Sequence, residues 1–228
     1  MSRVAAHAVI CTVDVVLLTL RSEVLQVVLQ TRGREPFKGV PALPGGSVRP
    51  REDQSAWHAA ARVLREHVGI DGPYLEQLAT WSGAARDPRG WSLSVVYCAL
   101  VPQDRLPQRD DLQLAPVRRL PRLAFDHRSI VEAAVARVGA KSQYSSLPVY
   151  LCSEPFSLPQ LQAVYESVLG EAINKVSFRR KIGELGMLEP VNGARQGGAH
   201  RPAQLYQLKD DYRRTLSIIG RGLNARAS

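Results

Sequence analysis

Cysteine is scarce in this chain of 228 residues: Cys11, Cys98 and Cys152 stand far apart, odd in number and without paired spacing. That excludes a disulfide framework and the close pairs of zinc or thioredoxin-type sites. All are expected as small apolar core residues in a reducing compartment. Long apolar runs are missing too. The richest stretch, residues 4–20, is broken by His7, Thr12, Asp14 and Thr19, and no charged segment followed by a cleavable apolar one opens the chain. Neither a membrane span nor a secretory leader is expected, and the protein reads as cytoplasmic. Acidic residues are outnumbered, 21 against 30 Lys and Arg, giving a net charge of +9 and a pI near 9.9. Such a balance fits a partner bearing phosphates without establishing one. Repeats and low-complexity tracts are absent.

What the chain does have is apolar content, 45% of its residues, enough to exclude disorder and to fill one large or two ordinary domains. Residues 9–20 and 24–31, rich in valine and leucine and separated by Arg21-Ser22-Glu23, predict a hairpin of buried strands. Residues 32–50, loaded with Gly and Pro, read as loop, and 55–68 as helix. Strands over 74–81 and 92–101 flank a turn at Asp87-Pro88-Arg89-Gly90, and residues 130–138 carry helical spacing. Ser-Gln-Tyr-Ser-Ser within 141–146 breaks that periodicity and marks a boundary.

One segment carries a chemical signature with parts missing. Leu43-Pro44-Gly45-Gly46 is followed by Glu52 and then by Arg62-Val63-Leu64-Arg65-Glu66-His67-Val68-Gly69-Ile70. The spacing resembles a Nudix box, a loop-helix-loop whose helical glutamates bind divalent metal, with nine residues instead of seven between Glu52 and Arg62. Where a Nudix hydrolase places three glutamates, this chain has Val63, Glu66 and His67. Magnesium needs several oxygen ligands on one site, valine offers none, and histidine suits softer ions. Without the metal, little polarises a pyrophosphate or activates water. Ala60, Ala61, Val63 and Leu64 followed by Gly69 would equally make a plain amphipathic helix with a glycine stop.

Beyond the boundary the pattern changes. Ser157-Leu158-Pro159-Gln160 has the form of a capping box, Leu158, Leu161, Val164, Tyr165, Val168 and Leu169 form one apolar stripe, and Gly170 supplies a stop. A second helix from about 173 to 185 puts Phe178, Ile182 and Leu185 on one face and Val176, Ser177, Arg179 and Arg180 largely on the other. This is how a recognition helix is built, with an apolar back and a basic front. Lys175 and Lys181 are expected as phosphate or solvent contacts. Strands over 187–191 and 204–208 around a Gly-rich loop, 192–202, form a wing whose Arg195, His200 and Arg201 would reach phosphates or the minor groove.

Together with Leu75-Glu76-Gln77-Leu78-Ala79-Thr80-Trp81, the run from Asp87 to Tyr97, Leu123-Ala124-Phe125-Asp126-His127 and Ser177-Phe178-Arg179-Arg180-Lys181-Ile182, these segments make the chain resemble one family from about residue 9 to 208. It is the NrtR family, Nudix-related transcriptional regulators of NAD metabolism. The resemblance implies an α+β chain: an N-terminal Nudix-like α/β/α sandwich that binds the effector, residues 1–142, followed by a C-terminal winged helix-turn-helix, residues 143–228. It also implies a homodimeric repressor that binds near-palindromic double-stranded DNA at NAD synthesis or salvage genes. ADP-ribose or a related nucleotide effector would release it; no cofactor is required and no membrane is involved. Val63 and His67 depart from the hydrolase box and fit a sensor, and Ser177 stands where the family often has asparagine.

The matching positions receive roles on that basis. Arg32, Arg34 and Lys38 would hold a diphosphate through charge-assisted hydrogen bonds. Gly45 and Gly46 would let backbone amides approach a phosphate, and Asp87 with Arg89 would take ribose hydroxyls or phosphate. Trp91, Phe37 or Trp57 would stack an adenine, Trp57 being the one that also fits the core, and Glu66 joins the ligand set as the glutamate that is kept. Asp126 and His127 are expected in interdomain hydrogen bonds. No catalytic residue and no metal ligand is assigned. Two other readings stay open: an active ADP-ribose pyrophosphatase using Glu52, Glu66 and His67, and a Nudix-like regulator sensing a sugar derivative.

Overall fold

The computed structural model describes residues 9–196, 203–213 and 215–219. Strands β1 (Ile10–Arg21) and β2 (Val24–Thr31) form the expected hairpin. Ser22 and Glu23 turn it with φ of 49° and 61°, the left-handed pair that matches the twist of the flanking strands. Short strands β3 (Pro41–Ala42) and β4 (Gly45–Ser47) precede helix α1 (Ala56–Val63), capped by Ser55. That helix widens into a π turn over Leu64–Val68, which Gly69 closes at φ 84°. Then follow β5 (Tyr74–Gly83), β6 (Ser92–Leu100), β7 (Leu112–Pro116) and helix α2 (His127–Ser142).

The sheet order is β3-β2-β1-β6-β5, with β4 pairing β1 and β7 pairing β2. Among the described residues only β1 and β6 pair in parallel. The side-chain period of two sorts β1 between two layers. Val13, Val15 and Leu17 pack with Ala59, Ala60, Val63 and Leu64 of the α1 layer. Val16 and Leu18 pack on the opposite face with Ile130, Val131, Ala134 and Val138 of α2. This covering of both faces explains why the hairpin reads as continuously apolar. Cys98 and Cys152 lie in the core, as small apolar residues should, whereas Cys11 is exposed near the start of β1, contrary to the expectation for it.

A 3-10 turn (Leu147–Leu151) and strand β8 (Phe156–Ser157) lead to helix α3 (Leu158–Leu169), helix α4 (Lys175–Glu184) and strands β9 (Leu188–Gln196) and β10 (Ala203–Leu208). The capping box forms: Ser157 Oγ accepts the Gln160 N–H while Gln160 Oε1 accepts the Ser157 N–H, and Gly170 ends α3 at φ 73°. Asn174 caps α4, its Oδ1 accepting from Val176 N and Ser177 N. The sheet order β8-β10-β9 makes a wing behind the two helices. Tyr165, Phe178 and Ile182 join the same apolar cluster as α2, so both modules share one core.

Candidate functional site

A cleft opens where β1, β4 and the start of α2 meet, enclosing about 540 Å³ of space including its mouth. Asp14 forms its floor, a buried carboxylate inside an otherwise apolar strand. Its Oδ2 accepts from Ser94 Oγ at 2.6 Å. Opposite it in the register stands Gly45, and a Cβ there would run into Asp14 Oδ1 and the Val13 carbonyl. The glycine is required by this close approach. His127, the first residue of α2, lies alongside. Its Nδ1 accepts the Leu43 N–H at 2.9 Å, and burial holds its pKa below the usual 6.5, so the ring is neutral. The acceptor role of Nδ1 puts the proton on Nε2, which lies 3.7 Å from Asp14 Oδ1. Arg86 closes the network, donating to both Asp126 oxygens at 2.9 and 3.0 Å and to Ser92 Oγ at 3.2 Å.

The rim is cationic. Arg32, Arg34 and Arg89 line it with Asp87 and Phe125. Arg32 Nε donates to the Pro36 carbonyl at 2.7 Å, and its guanidinium lies 4.6 Å from the centre of the Phe125 ring. Partial burial, with repulsion from Arg89 and Arg34, pulls the Arg32 pKa down. That crowding of positive charge stabilises an entering anion. Arg89 is itself steadied by Asp87, with contacts of 2.7 and 3.0 Å. Phe37 meets Phe125 edge to face at 4.8 Å, and both hold positive φ, 65° and 53°. Such backbone outliers concentrate at ligand clamps.

Of the ligand residues expected from sequence, Arg32, Arg34, Gly45, Gly46, Asp87 and Arg89 line the cleft. Phe37 stands behind Phe125, while Lys38, Glu66 and Trp91 lie outside the lining. Trp57, read as fitting the core, is 43% exposed on α1 and meets His58 edge on. Asp126 and His127 bond within the N-terminal module, to Arg86 and Leu43, rather than across the domain boundary. The residues that sequence reasoning missed are Asp14, Arg86 and Phe125. A charged residue amid the valines of β1 was the available signal for Asp14.

The degenerate box forms a different structure from a metal site. Arg62 pairs with Asp53 through two hydrogen bonds of 2.8 Å, both groups buried, and this holds the Asp53 pKa at about 2. Arg49 reaches both Glu66 oxygens at 3.0 and 3.1 Å and Glu52 at 3.0 Å. Val63 is in the core, and His67 Nδ1 lies 3.0 Å from Gln30 Oε1. Among the described residues, no three His, Cys, Asp or Glu side chains converge as a metal set. Of the three helical positions only Glu66 carries a carboxylate, and with Glu52 it falls short of the several converging oxygen ligands that magnesium takes.

On α4, Val176 is 77% exposed and Lys175, Arg179 and Arg180 are also exposed, with Ser177 partly so. Lys181 is buried, against its expected role as a solvent or phosphate contact. Its spacing of three from Phe178 turns it to the apolar side. Arg195 lies in β9 opposite Gln204 rather than in a loop, because the strand runs on to Gln196. His200 and Arg201 lie outside the described residues.

The chain matches two family models, the NUDIX domain over residues 11–134 and the NrtR DNA-binding winged helix domain over residues 148–208. It is 39% identical over 202 residues to the ADPR responsive transcriptional repressor NtrR of Acinetobacter baylyi, covering 86% of this chain and 80% of that protein. The chain belongs to the NrtR family. Shewanella oneidensis NrtR, solved in complex with a 27mer DNA, superposes with a TM-score of 0.85 at 38% identity, covering 94% of this chain and 99% of that one. Its NUDIX domain, solved in complex with ADP ribose, superposes at 0.54 and 36% identity, covering 60% of this chain and 94% of that one. The ADP-ribose pyrophosphatase of Methanocaldococcus jannaschii is 36% identical over 110 residues, 47% of this chain and 64% of that enzyme. The NrtR architecture is thus a Nudix domain followed by a winged helix, as the sequence pattern predicts. No helix among the described residues is long and apolar enough to cross a membrane.

Proposed function

We propose that this NrtR chain is a DNA-binding transcriptional repressor whose cleft takes ADP-ribose or a closely related NAD-derived nucleotide, and that the bound effector releases it from DNA. The observation that carries this reading is the cleft itself. Three arginines on its rim, Arg32, Arg34 and Arg89, would bind a diphosphate, while Asp14 on the floor would offer a carboxylate oxygen to a ribose hydroxyl. Arg32 and Phe125 form a cation–aromatic wall. The likeness to relatives described as ADPR responsive, complexed with DNA or complexed with ADP ribose supports this reading. The exposed positions Lys175, Val176, Ser177, Arg179 and Arg180 face the DNA. Regulation of NAD synthesis or salvage genes, a two-fold dimer on a near-palindromic operator and a cytoplasmic location complete the proposal.

Helix α2 links the two functions. It starts at His127 in the cleft and runs to Ser142, about 24 Å at 1.5 Å per residue. Tyr165 of α3 donates to the Ser145 carbonyl at 3.0 Å just beyond its end. An effector acts only by preferring one arrangement over another, here the one whose two recognition helices miss their half-sites.

Gel-shift titration on the promoter beside its own gene, with and without ADP-ribose, tests both parts. Lost affinity with ADP-ribose is expected; unchanged affinity at saturating ligand overturns the sensing role. Hydrolysis is a second reading, favoured by the likeness to a pyrophosphatase. Because Arg49 neutralises Glu52 and Glu66, incubation of ADP-ribose with magnesium or manganese is expected to release no AMP. Steady turnover would instead favour an enzyme.

A further inference from the structure

The segment after β7 is a basic loop of the Nudix domain lying against the helix-turn-helix. It reads Val117-Arg118-Arg119-Leu120-Pro121-Arg122-Leu123, and no Asp or Glu occurs from residue 112 to 125. A guanidinium nitrogen of Arg118 stands 3.4 Å from where a Cβ on Gly170 would be. Gly170 ends α3 and begins the turn into α4. In a helix-turn-helix the first helix crosses the DNA backbone and the start of the second enters the groove, so this turn approaches phosphates.

The loop is held in place. Val117 N–H donates to the Leu25 carbonyl and Arg119 N–H to that of Pro116, at 3.1 and 2.8 Å. Arg128 of α2 donates to the Leu120 and Pro121 carbonyls, each at 3.0 Å. Val117, Leu120 and Leu123 pack on the shared core, which leaves Arg118, Arg119 and Arg122 exposed. None of these guanidiniums has a hydrogen-bond or ion-pair partner among the described residues. Arg62, Arg86, Arg89 and Arg109 of the same module are all paired with carboxylates. Acidic residues on neighbouring segments include Glu23, two residues before Leu25, Glu132, 3.9 Å from Arg128, and Glu171 in the turn, which has a contact of its own. Fixed, unpaired arginines beside a groove-entering turn are what a phosphate contact requires.

We propose that loop 117–123 of the Nudix domain is a second DNA-phosphate contact, with Arg118, Arg119 and Arg122 as its cations. This rests on the reading of the chain as a DNA-binding protein. The DNA footprint then spans both domains, and the loop runs within two residues of Phe125 on the cleft wall.

The test is a salt titration of DNA affinity by fluorescence anisotropy, using the full chain on its operator and on an unrelated duplex. Each Arg→Ala substitution at 118, 119 or 122 is expected to reduce the slope of log affinity against log salt by about 0.9. The triple variant then loses about 40-fold less affinity than the wild type between roughly 50 and 200 mM salt. The loss of slope is expected to be equal on both duplexes, and the triple Arg→Lys variant is expected to keep the wild-type slope. ADP-ribose affinity is expected unchanged, which reports that the variants remain folded. A wild-type slope in the triple alanine variant, or a loss confined to the operator, overturns the loop contact while leaving DNA binding intact. A wild-type chain that binds neither duplex overturns both proposals.

Discussion

The backbone N–H of Leu43 donates a hydrogen bond to Nδ1 of His127, tying the loop that opens the degenerate box to the first residue of α2. A buried amide that loses its acceptor costs about 1–3 kcal/mol. His127→Ala is expected to lose about that much stability in urea unfolding, and His127→Asn, whose carbonyl can accept, to lose less. The same ring makes stability depend on pH. In the unfolded chain the imidazole takes a proton near 6.5, whereas burial keeps it neutral to lower pH in the fold. The unfolded state therefore binds more protons in that window, and stability falls as pH drops below 6.5. His67, also lowered by burial, adds to this in the same direction. Unfolding curves between pH 7 and 5 are expected to be flatter for His127→Asn than for the wild type.

Arg62→Ala is expected to be among the most damaging single changes in the box. It strands the Asp53 carboxylate, 2% exposed, without its cation, at about 3–5 kcal/mol. Removing both charges with Arg62→Met and Asp53→Leu is expected to recover most of that loss. Thermal melts of the single and double variants check it. Because the Asp53 pKa falls from 3.8 to about 2, the pair's contribution is present above pH 3.8 and is lost as pH falls toward 2.

Neighbouring cations of α4 are expected to behave differently. Arg179→Ala and Arg180→Ala, on the exposed face, each reduce the salt slope of DNA affinity by about 0.9, or relax one base pair of specificity by about 1–3 kcal/mol where the guanidinium reads guanine. Lys181→Ala, on the buried side, leaves the slope unchanged and lowers stability instead. Anisotropy titrations beside thermal melts separate these outcomes.

Arg32→Ala removes a rim cation and half of the wall it forms with Phe125. Loss of a charge-assisted hydrogen bond worth about 1.5–3 kcal/mol weakens ADP-ribose binding about 10- to 150-fold. DNA affinity without effector is expected unchanged, so the variant becomes a repressor that releases poorly. Calorimetric titration with ADP-ribose and gel shifts with the same protein check both halves.

What was legible in the sequence was local. Ser157, Gln160 and Gly170 announce α3 within its own span, and the valines of β1 and β2 announce a hairpin. Six residues that line the cleft, Arg32, Arg34, Gly45, Gly46, Asp87 and Arg89, are named through the family resemblance, whose motifs are short-range patterns. Asp14, Arg86 and His127 were not readable as cleft residues, since they come from segments up to 113 residues apart and meet only through the β1–β6 register and the docking of α2. Lys181 is buried despite its charge because its spacing of three from Phe178 sets it on the apolar side of α4. Arg49 escaped notice because its partners, Glu52 and Glu66, converge only once α1 is folded.

The apolar cluster under the sheet runs without a break from Val16 of β1 through Val138 of α2 to Tyr165 and Ile182 of the winged helix. Tyr74 of β5 stacks on Tyr150 along the same seam, at 4.5 Å and 15°. Chain modules joined by a bare linker melt separately, each with its own heat-absorption peak. Modules that own one interior cannot, since opening either would wet the other's side chains. Cooperativity here belongs to the whole chain, and a lesion in the winged helix is also a lesion in the ligand-binding half.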